Sequence, residues 1–452
     1  MKGILDFIID VVKEPSILVA SIAILGLILQ KKSLPDTVKG GIKTFVGFIV
    51  LSGGADMVVS SLEPFGTMFE EAFNLQGVVP NNEAIVAVAL TTYGTSTALI
   101  MLTGLIANIL IARFTKFKYI FLTGHHTLYM ACMVAVILSV AGFNSIGLIL
   151  FGGLALGIIM TLSPAIVQKY MVQLTGNNNI ALGHFSALSY WLSGFVGQLV
   201  GGEDAKSTED IKFPKSLSFL RDSTVSITIS MAIIYLIVAI FAGNEFIMTN
   251  LSEGTNGIVF ALKLAGLFAA GVFVILAGVR LVLSEIVPAF KGISEKLVPN
   301  SKPALDCPIV FTYAPNAVLL GFISSFIGGL LSMIIMIFTG TVVILPGVVP
   351  HFFVGATAGV IGNASGGVKG ATIGAFLQGI LISFLPVFLM PVLGNLGFAG
   401  STFSDADFGV SGIFLGVLAD NGGTTLVAIG ILVVLAIMIG LSVFTKESEK
   451  GM

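Results

Sequence analysis

Three histidines and one aspartate stand among apolar residues, where polar side chains are costly. His125 and His126 open the run FLTGHHTLYM (121–130), His184 sits in GHFS, and Asp306 lies between prolines in PALDCPIVFTYAPN (303–316). His125 and Tyr129 are four residues apart, so a helix puts them on one face, with His126 turned about 100° away. Imidazole, phenol and carboxylate in such a setting suit three kinds of chemistry. They can hydrogen-bond a polar ligand from a cavity wall, couple to a proton or sodium ion, or ligate a metal. Each also has a plain structural reading: a histidine can tie two helices together, and a carboxylate can cap a helix or pair with a base. His126, and His351 after Pro350 at an interface, are read in that structural way.

Weaker candidates accompany these. Asn81, Asn82 and Glu83 follow Pro80 at the start of a span, either as a cap with an acidic first turn or as ligand contacts. Ser52, Gly53 and Gly54 either expose backbone groups to a ligand or let helices pack tightly. Cys132 and Cys307 read as buried, unreactive thiols. With two cysteines and no CxxC pair, neither a disulfide framework nor a structural zinc site is expected. No GxxxxGK[ST] and no HExxH occurs, which argues against a P-loop nucleotide site and a zinc protease. Asp56, Asp306 and Glu83 are the best carboxylates for a proton relay.

The elements that must position these residues are membrane spans. The chain is 56% hydrophobic and 10% charged, with mean hydropathy +1.04. A soluble domain carries about 25% charged residues, so this chain lacks the polar side chains to cover a water-facing surface. The net charge of −2 gives no sign of nucleic-acid binding. About eleven spans are expected, at residues 16–30, 39–62, 83–112, 119–142, 144–167, 224–242, 258–279, 319–343, 352–371, 373–393 and 424–443. Lys and Arg cluster after alternate spans, and the acidic stretches 63–82, 245–253 and 395–421 are placed outside. Residues 177–202 are read as a re-entrant, cavity-lining helix. Residues 203–222 form a cytoplasmic loop, and 280–300 an amphipathic segment at the inner surface. The N-terminal segment 1–15 is amphipathic, carries Lys2 and Lys13, and shows no cleavable signal. The N-terminus is placed outside and the C-terminus inside. A short echo between GGIKTFVGF (40–48) and GGVKGATIGAF (366–376) reads as the trace of an inverted repeat.

LTGH (122–125), GH (183–184), GVRLVLSEIVPAFKGISEKLVP (278–299), LDC (305–307), APNAV (314–318) and LPGVVPHFF (345–353) occur in this order. With them, essentially the whole chain resembles the ascorbate-type permease component, enzyme IIC, of the bacterial phosphoenolpyruvate:sugar phosphotransferase system. The resemblance implies an all-α, polytopic, multi-pass protein of the bacterial inner (plasma) membrane, forming one permease domain over 1–452 without a fused IIA or IIB domain. It implies a homodimer with a scaffold and a mobile core that carries substrate by an elevator movement. L-Ascorbate or a related sugar or sugar acid, bound outside, is presented inside to a IIB partner that carries phosphate on cysteine and is itself served by IIA. The permease then needs no cofactor, no metal and no catalytic residue of its own, membrane lipid surrounds it, and no nucleic acid takes part.

Carried over residue by residue, the resemblance places substrate contacts at His125, His184 and Asp306. Ser52, Gly53 and Gly54 fall in a glycine turn, Asn82 at a span start, and Gly347 in the LPG turn. Two positions depart from the family's ascorbate members, which carry glutamine where this chain has Tyr129 and Phe185. Both changes set an aromatic ring at the ligand, where it can stack on a sugar. Two rival readings stand beside this one. The first is an elevator-type secondary transporter coupled to H⁺ or Na⁺ through Asp306. The second is an intramembrane enzyme using the histidines as metal ligands.

Overall fold

The computed structural model describes residues 15–74, 77–202, 205–211, 222–398 and 400–450. Residues 1–14, with Lys2 and Lys13, and most of the loop 203–222 lie outside the described residues. In chain order the elements are α1 (Pro15–Leu29), α2 (Leu34–Phe73), β1 (Gly77–Pro80), α3 (Asn82–Phe114), β2 (Tyr119–Phe121), α4 (Gly124–Val140), α5 (Ser145–Thr175), β3 (Ala181–Leu182) and α6 (Ala187–Val200). They continue with α7 (Ser223–Ala242), α8 (Asn244–Asn250), α9 (Gly257–Leu297), β4 (Lys302–Leu305), α10 (Pro308–Phe311), α11 (Pro315–Thr339), β5 (Val343–Ile344), α12 (Val348–Leu389), β6 (Ser401–Thr402) and α13 (Ala406–Lys450).

Among the described residues six helices are long and apolar enough to cross a membrane, or seven if the bent pair α7–α8 counts as one span. The protein is therefore a largely helical, polytopic membrane protein. Large apolar side chains face outward all over it, Phe338, Phe114 and Ile146 among the most exposed, as lipid contact requires. Two of the long helices are broken by adjacent glycines. In α12, Gly366 and Gly367 take φ/ψ of −156°/23° and 59°/−149°; in α13, Gly422 and Gly423 take −164°/17° and 57°/−151°. The second glycine of each pair occupies a region that only glycine enters at low cost. The α12 halves fold back on each other. A Cβ added to Gly370 would collide with the Gly362 carbonyl, and Gly355 and Gly379 both press on Ser325.

Among the described residues, six short strands form two parallel sheets, ordered β5–β1–β6 and β2–β4–β3. Exchanging β1, β2, β3 for β4, β5, β6 turns one order into the other. The elements between repeat as well: β1–α3–β2–α4–α5–β3–α6 matches β4–α10–α11–β5–α12–β6–α13, the two halves of α12 standing for α4 and α5. Helices of 40 and 41 residues, α2 and α9, precede the two sets. The chain thus carries an internal repeat, and each sheet takes its centre strand from one half and both flanks from the other. The echo between 40–48 and 366–376 does not mark it, because those segments fall in α2 and α12, which do not correspond.

Helix α4 is buried along its whole length from His126 to Leu138. It is apolar on every side, so it is covered all round, chiefly by α3, α5 and α13. A second core joins α2, α7 and α9 around Phe65, Tyr235 and Phe268, with Tyr235 Oη donating to Ser61 O at 2.9 Å. Helix α9 runs on to Leu297 and takes in residues 280–297. Two expectations change. Helix α2 runs through Pro64 to Phe73, so the start of the acidic connector 63–82 is helical. His351 is 2% exposed and its Nδ1 lies 2.7 Å from Ser325 Oγ, within the interior rather than at an interface.

Candidate substrate site

The C-terminal ends of five strands deliver polar residues to one place. β2 leads through LTG to His125, β4 to Asp306, β3 to His184, β1 to Asn82 and β6 to Asp405. The repeat is visible in the hydrogen bonds that fix these exits. Leu122 N donates to Ala304 O at 3.0 Å, and Leu345 N donates to Val78 O at 2.9 Å, so the LTG and LPG turns leave their sheets alike. Gly183 and Gly347 are needed for close approach: a Cβ on either would stand 2.5 Å from a carbonyl, that of Ala304 or Pro80.

His125 Nε2 lies 3.6 Å from Asp306 Oδ2, and Cys307 N donates to Asp306 Oδ1 at 2.7 Å. His126 Nδ1 lies 3.8 Å from Asp405 Oδ2, and its ring centroid is 3.9 Å from that of His184. Tyr190 Oη is 2.8 Å from His184 Nδ1. Asn82 Nδ2 donates to Asp405 Oδ2 at 3.1 Å, and Ser404 N donates to Asn82 Oδ1 at 3.0 Å. His126, expected to be structural, is thus a member of the cluster. Asp306 keeps 29% of its side chain exposed and His125 11%, so the cluster is accessible on that side.

Six buried polar atoms around this point have no hydrogen-bond partner among the described residues: Thr123 Oγ1, His125 Nδ1, His126 Nδ1, Tyr129 Oη, Asn81 Nδ2 and Thr402 Oγ1. One such orphan costs about 1–3 kcal/mol, so six together mark a place that a polar guest or water completes.

Asp405 and Asp407 were expected in an outer loop, and the structure corrects this. Both are buried. Asp407 accepts from Ser163 Oγ at 2.6 Å and from Ala187 N and Leu188 N at 3.1 Å each, capping α6. A stretch with three acids and no base resembles an external loop in composition. The finer signal is FSDADF, acids spaced between aromatic rings that bury. Phe185 has no exposed surface; it stacks on Phe121 at 4.4 Å and meets Phe408 edge-on, forming the floor beneath His126. Gly53 and Gly54 lie in the unbroken helix α2 and not in a turn, and Ser52 shares that helix backbone. No described contact joins these three to the cluster. Gly347 abuts Pro80, one residue from Asn81.

Three sets of side chains have ligand atoms within 4.8 Å of one another: His125, His126 and Asp306; His126, His184 and Asp405; and His184, Asp306 and Cys307. Imidazole with carboxylate suits zinc-like ions.

Residues 10–407 match the family described as the PTS system sugar-specific permease component, EIIC-GAT. The chain belongs to this family. It is also similar to the ascorbate-specific PTS system EIIC component of Mycoplasma pneumoniae, at 27% identity over 472 aligned positions that cover 92% of this chain and 71% of that protein. As a phosphotransferase-system permease it works on a sugar-type substrate together with other proteins of that system, in the membrane that its apolar helices span. The resemblance read from LTGH through LPGVVPHFF is confirmed at this level.

Proposed function

We propose that this permease binds L-ascorbate or a related sugar acid at the cluster of His125, His126, His184, Asp306 and Asp405. It carries the substrate across the bacterial inner membrane and presents it to a phosphocysteine IIB protein. The observation that carries this reading is the group of unpartnered buried polar atoms at the strand ends. It is a polar cluster in an apolar molecule, with more hydrogen-bonding capacity than the described residues themselves use. Eleven spans, a homodimer and an elevator movement complete the proposal. The folded-back halves of α12 support the span number, since two helical legs stand there where one long helix is counted. Tyr129, Asn82 and Gly347 line or brace this site in the proposal, and Phe185 acts from beneath it. Ser52, Gly53 and Gly54 have least support.

Direct binding to the purified protein tests the reading, with L-ascorbate, pentoses, hexitols and sugar acids compared. Saturable micromolar binding of ascorbate is expected. Binding of another panel member moves the substrate to that compound, and none at all removes the cluster as a substrate site. A second reading has one observation in its favour: Asp405 is a buried carboxylate beside an imidazole, a fit partner for a coupled H⁺. Under it, uptake into vesicles needs no phosphorylated IIB and stops when an uncoupler is added.

A further inference from the structure

Four helices longer than one turn, α3, α4, α6 and α13, begin at the cluster. An α-helix leaves its first backbone N–H groups without partners inside the helix. In three of these helices the protein supplies the partners. Asn81 Oδ1 accepts from Ala84 N of α3 at 2.8 Å. Asp407 accepts from the first two N–H groups of α6. On α13, Ser186 Oγ accepts from Ala406 N at 3.2 Å, and Phe185 O accepts from Asp407 N at 3.0 Å. α12 begins beside Pro80 and carries Pro350, which has no N–H, in its first turn.

α4 is different. Thr123 stands at its N-cap, yet its side chain makes no capping bond, and its buried Oγ1 has no partner. Thr123 and Tyr129 are each 1% exposed with unpartnered hydroxyls, whereas Gly124 and His125 keep some exposed surface. None of the three imidazoles caps α4 among the described residues. His125 turns Nε2 to Asp306 and leaves Nδ1 unpartnered, His126 Nδ1 lies 3.8 Å from Asp405 without a hydrogen bond, and His184 Nδ1 is joined to Tyr190.

From this we infer that the N-terminus of α4 is an anion subsite: the ionised group of the substrate, an enolate or carboxylate, caps α4 in place of a side chain. The inference rests on the sugar-acid permease reading and adds where and how the charge is held. It also orients the substrate. The helix start offers only donors and a partial positive charge. Asp306 and Asp405, which lie 3.6 Å from His125 and 3.8 Å from His126, offer acceptors. The acidic end therefore lies against Gly124–His126 and the hydroxyl-bearing end against the carboxylates.

The test uses the full-length protein in detergent and measures binding of L-ascorbate and of five- and six-carbon aldonates beside the alditols of equal length. At least one acid should bind tenfold or more tightly than its matched alditol. Thr123→Asp places a carboxylate where the substrate's would sit. It should lower affinity for that acid at least tenfold, leave alditol affinity within twofold, and keep or raise the melting temperature. Should Thr123→Asp fail to fold, Thr123→Asn supplies an uncharged cap to the same N–H groups and decides the same comparison. Equal binding of acid and alditol, or unchanged acid binding by a folded capped variant, overturns the inference and leaves the permease reading standing. Absence of saturable binding by every compound to a cooperatively melting protein overturns both.

Discussion

Asp306 and Asp407 are both aspartates at the head of a helical segment, and they are held in opposite ways. Asp306 has one backbone donor and an imidazole at 3.6 Å, with part of its surface open. Asp407 is closed in by three donors from two helices. Asp306→Asn is expected to lower substrate affinity tenfold or more with an unchanged melting temperature and elution volume; unchanged affinity would take Asp306 out of the site. Asp407→Ala should act on stability instead, costing on the order of 3 kcal/mol because two N–H groups of α6 and one hydroxyl lose a charged acceptor. A thermal scan of the purified protein reads this, and a melting point equal to wild type would show that the α6 cap is dispensable. Tyr129 and Phe185, the two aromatic candidates, separate on the same ground. Tyr129→Gln replaces an unpartnered hydroxyl and should shift ligand affinity with the fold kept. Phe185→Gln buries an amide between Phe121 and Phe408 and should lower the melting temperature. Equal behaviour of the two in both assays would contradict their different surroundings.

At the scale of elements, the residues that could be read from the sequence are those whose polarity interrupts an apolar run. His125, His184 and Asp306 stand out for that reason, and they meet. Asp405 and Asp407 stayed hidden because a cluster of acids without bases has the composition of an external loop, and only tertiary burial distinguishes the two. That long apolar helices able to cross a membrane are present was legible from hydropathy, but the continuity of α2 through Pro64 was not. Proline is tolerated inside a packed helix when neighbours brace it, and that bracing is not local. The glycine breaks were legible only as glycine. Gly367 lies at φ 59°, ψ −149°, and a Cβ on it would strike the Lys206 carbonyl. Gly367→Ala should therefore cost about 1–3 kcal/mol, read as a lower melting temperature, whereas Gly53→Ala, with nothing near its Cβ, should be silent.

For the whole molecule, the question is what drives transport. If phosphorylation by IIB is the drive, accumulation of substrate in vesicles requires phosphorylated IIB inside and survives collapse of the proton and sodium gradients. Accumulation that vanishes with the gradients and ignores IIB would favour the coupled-transporter reading. The repeat could not have been found from sequence similarity, because it is carried by strand order and not by residue identity. The strands share no common sequence, from Tyr119–Phe121 to Lys302–Leu305 and Ser401–Thr402.

The shared sheets also set a timetable for synthesis. Gly77 pairs with Val343 and Ala181 with Ala304, so the ribosome has left the first strands far behind when their partners emerge. At roughly 5–20 residues per second that interval is on the order of ten seconds or longer. Throughout it, the first half must wait in the bilayer with strand edges that lipid cannot hydrogen-bond. Neither half then has a self-sufficient native state. Cut between β3 and β4 and expressed as separate genes, the two pieces should be degraded singly and survive together.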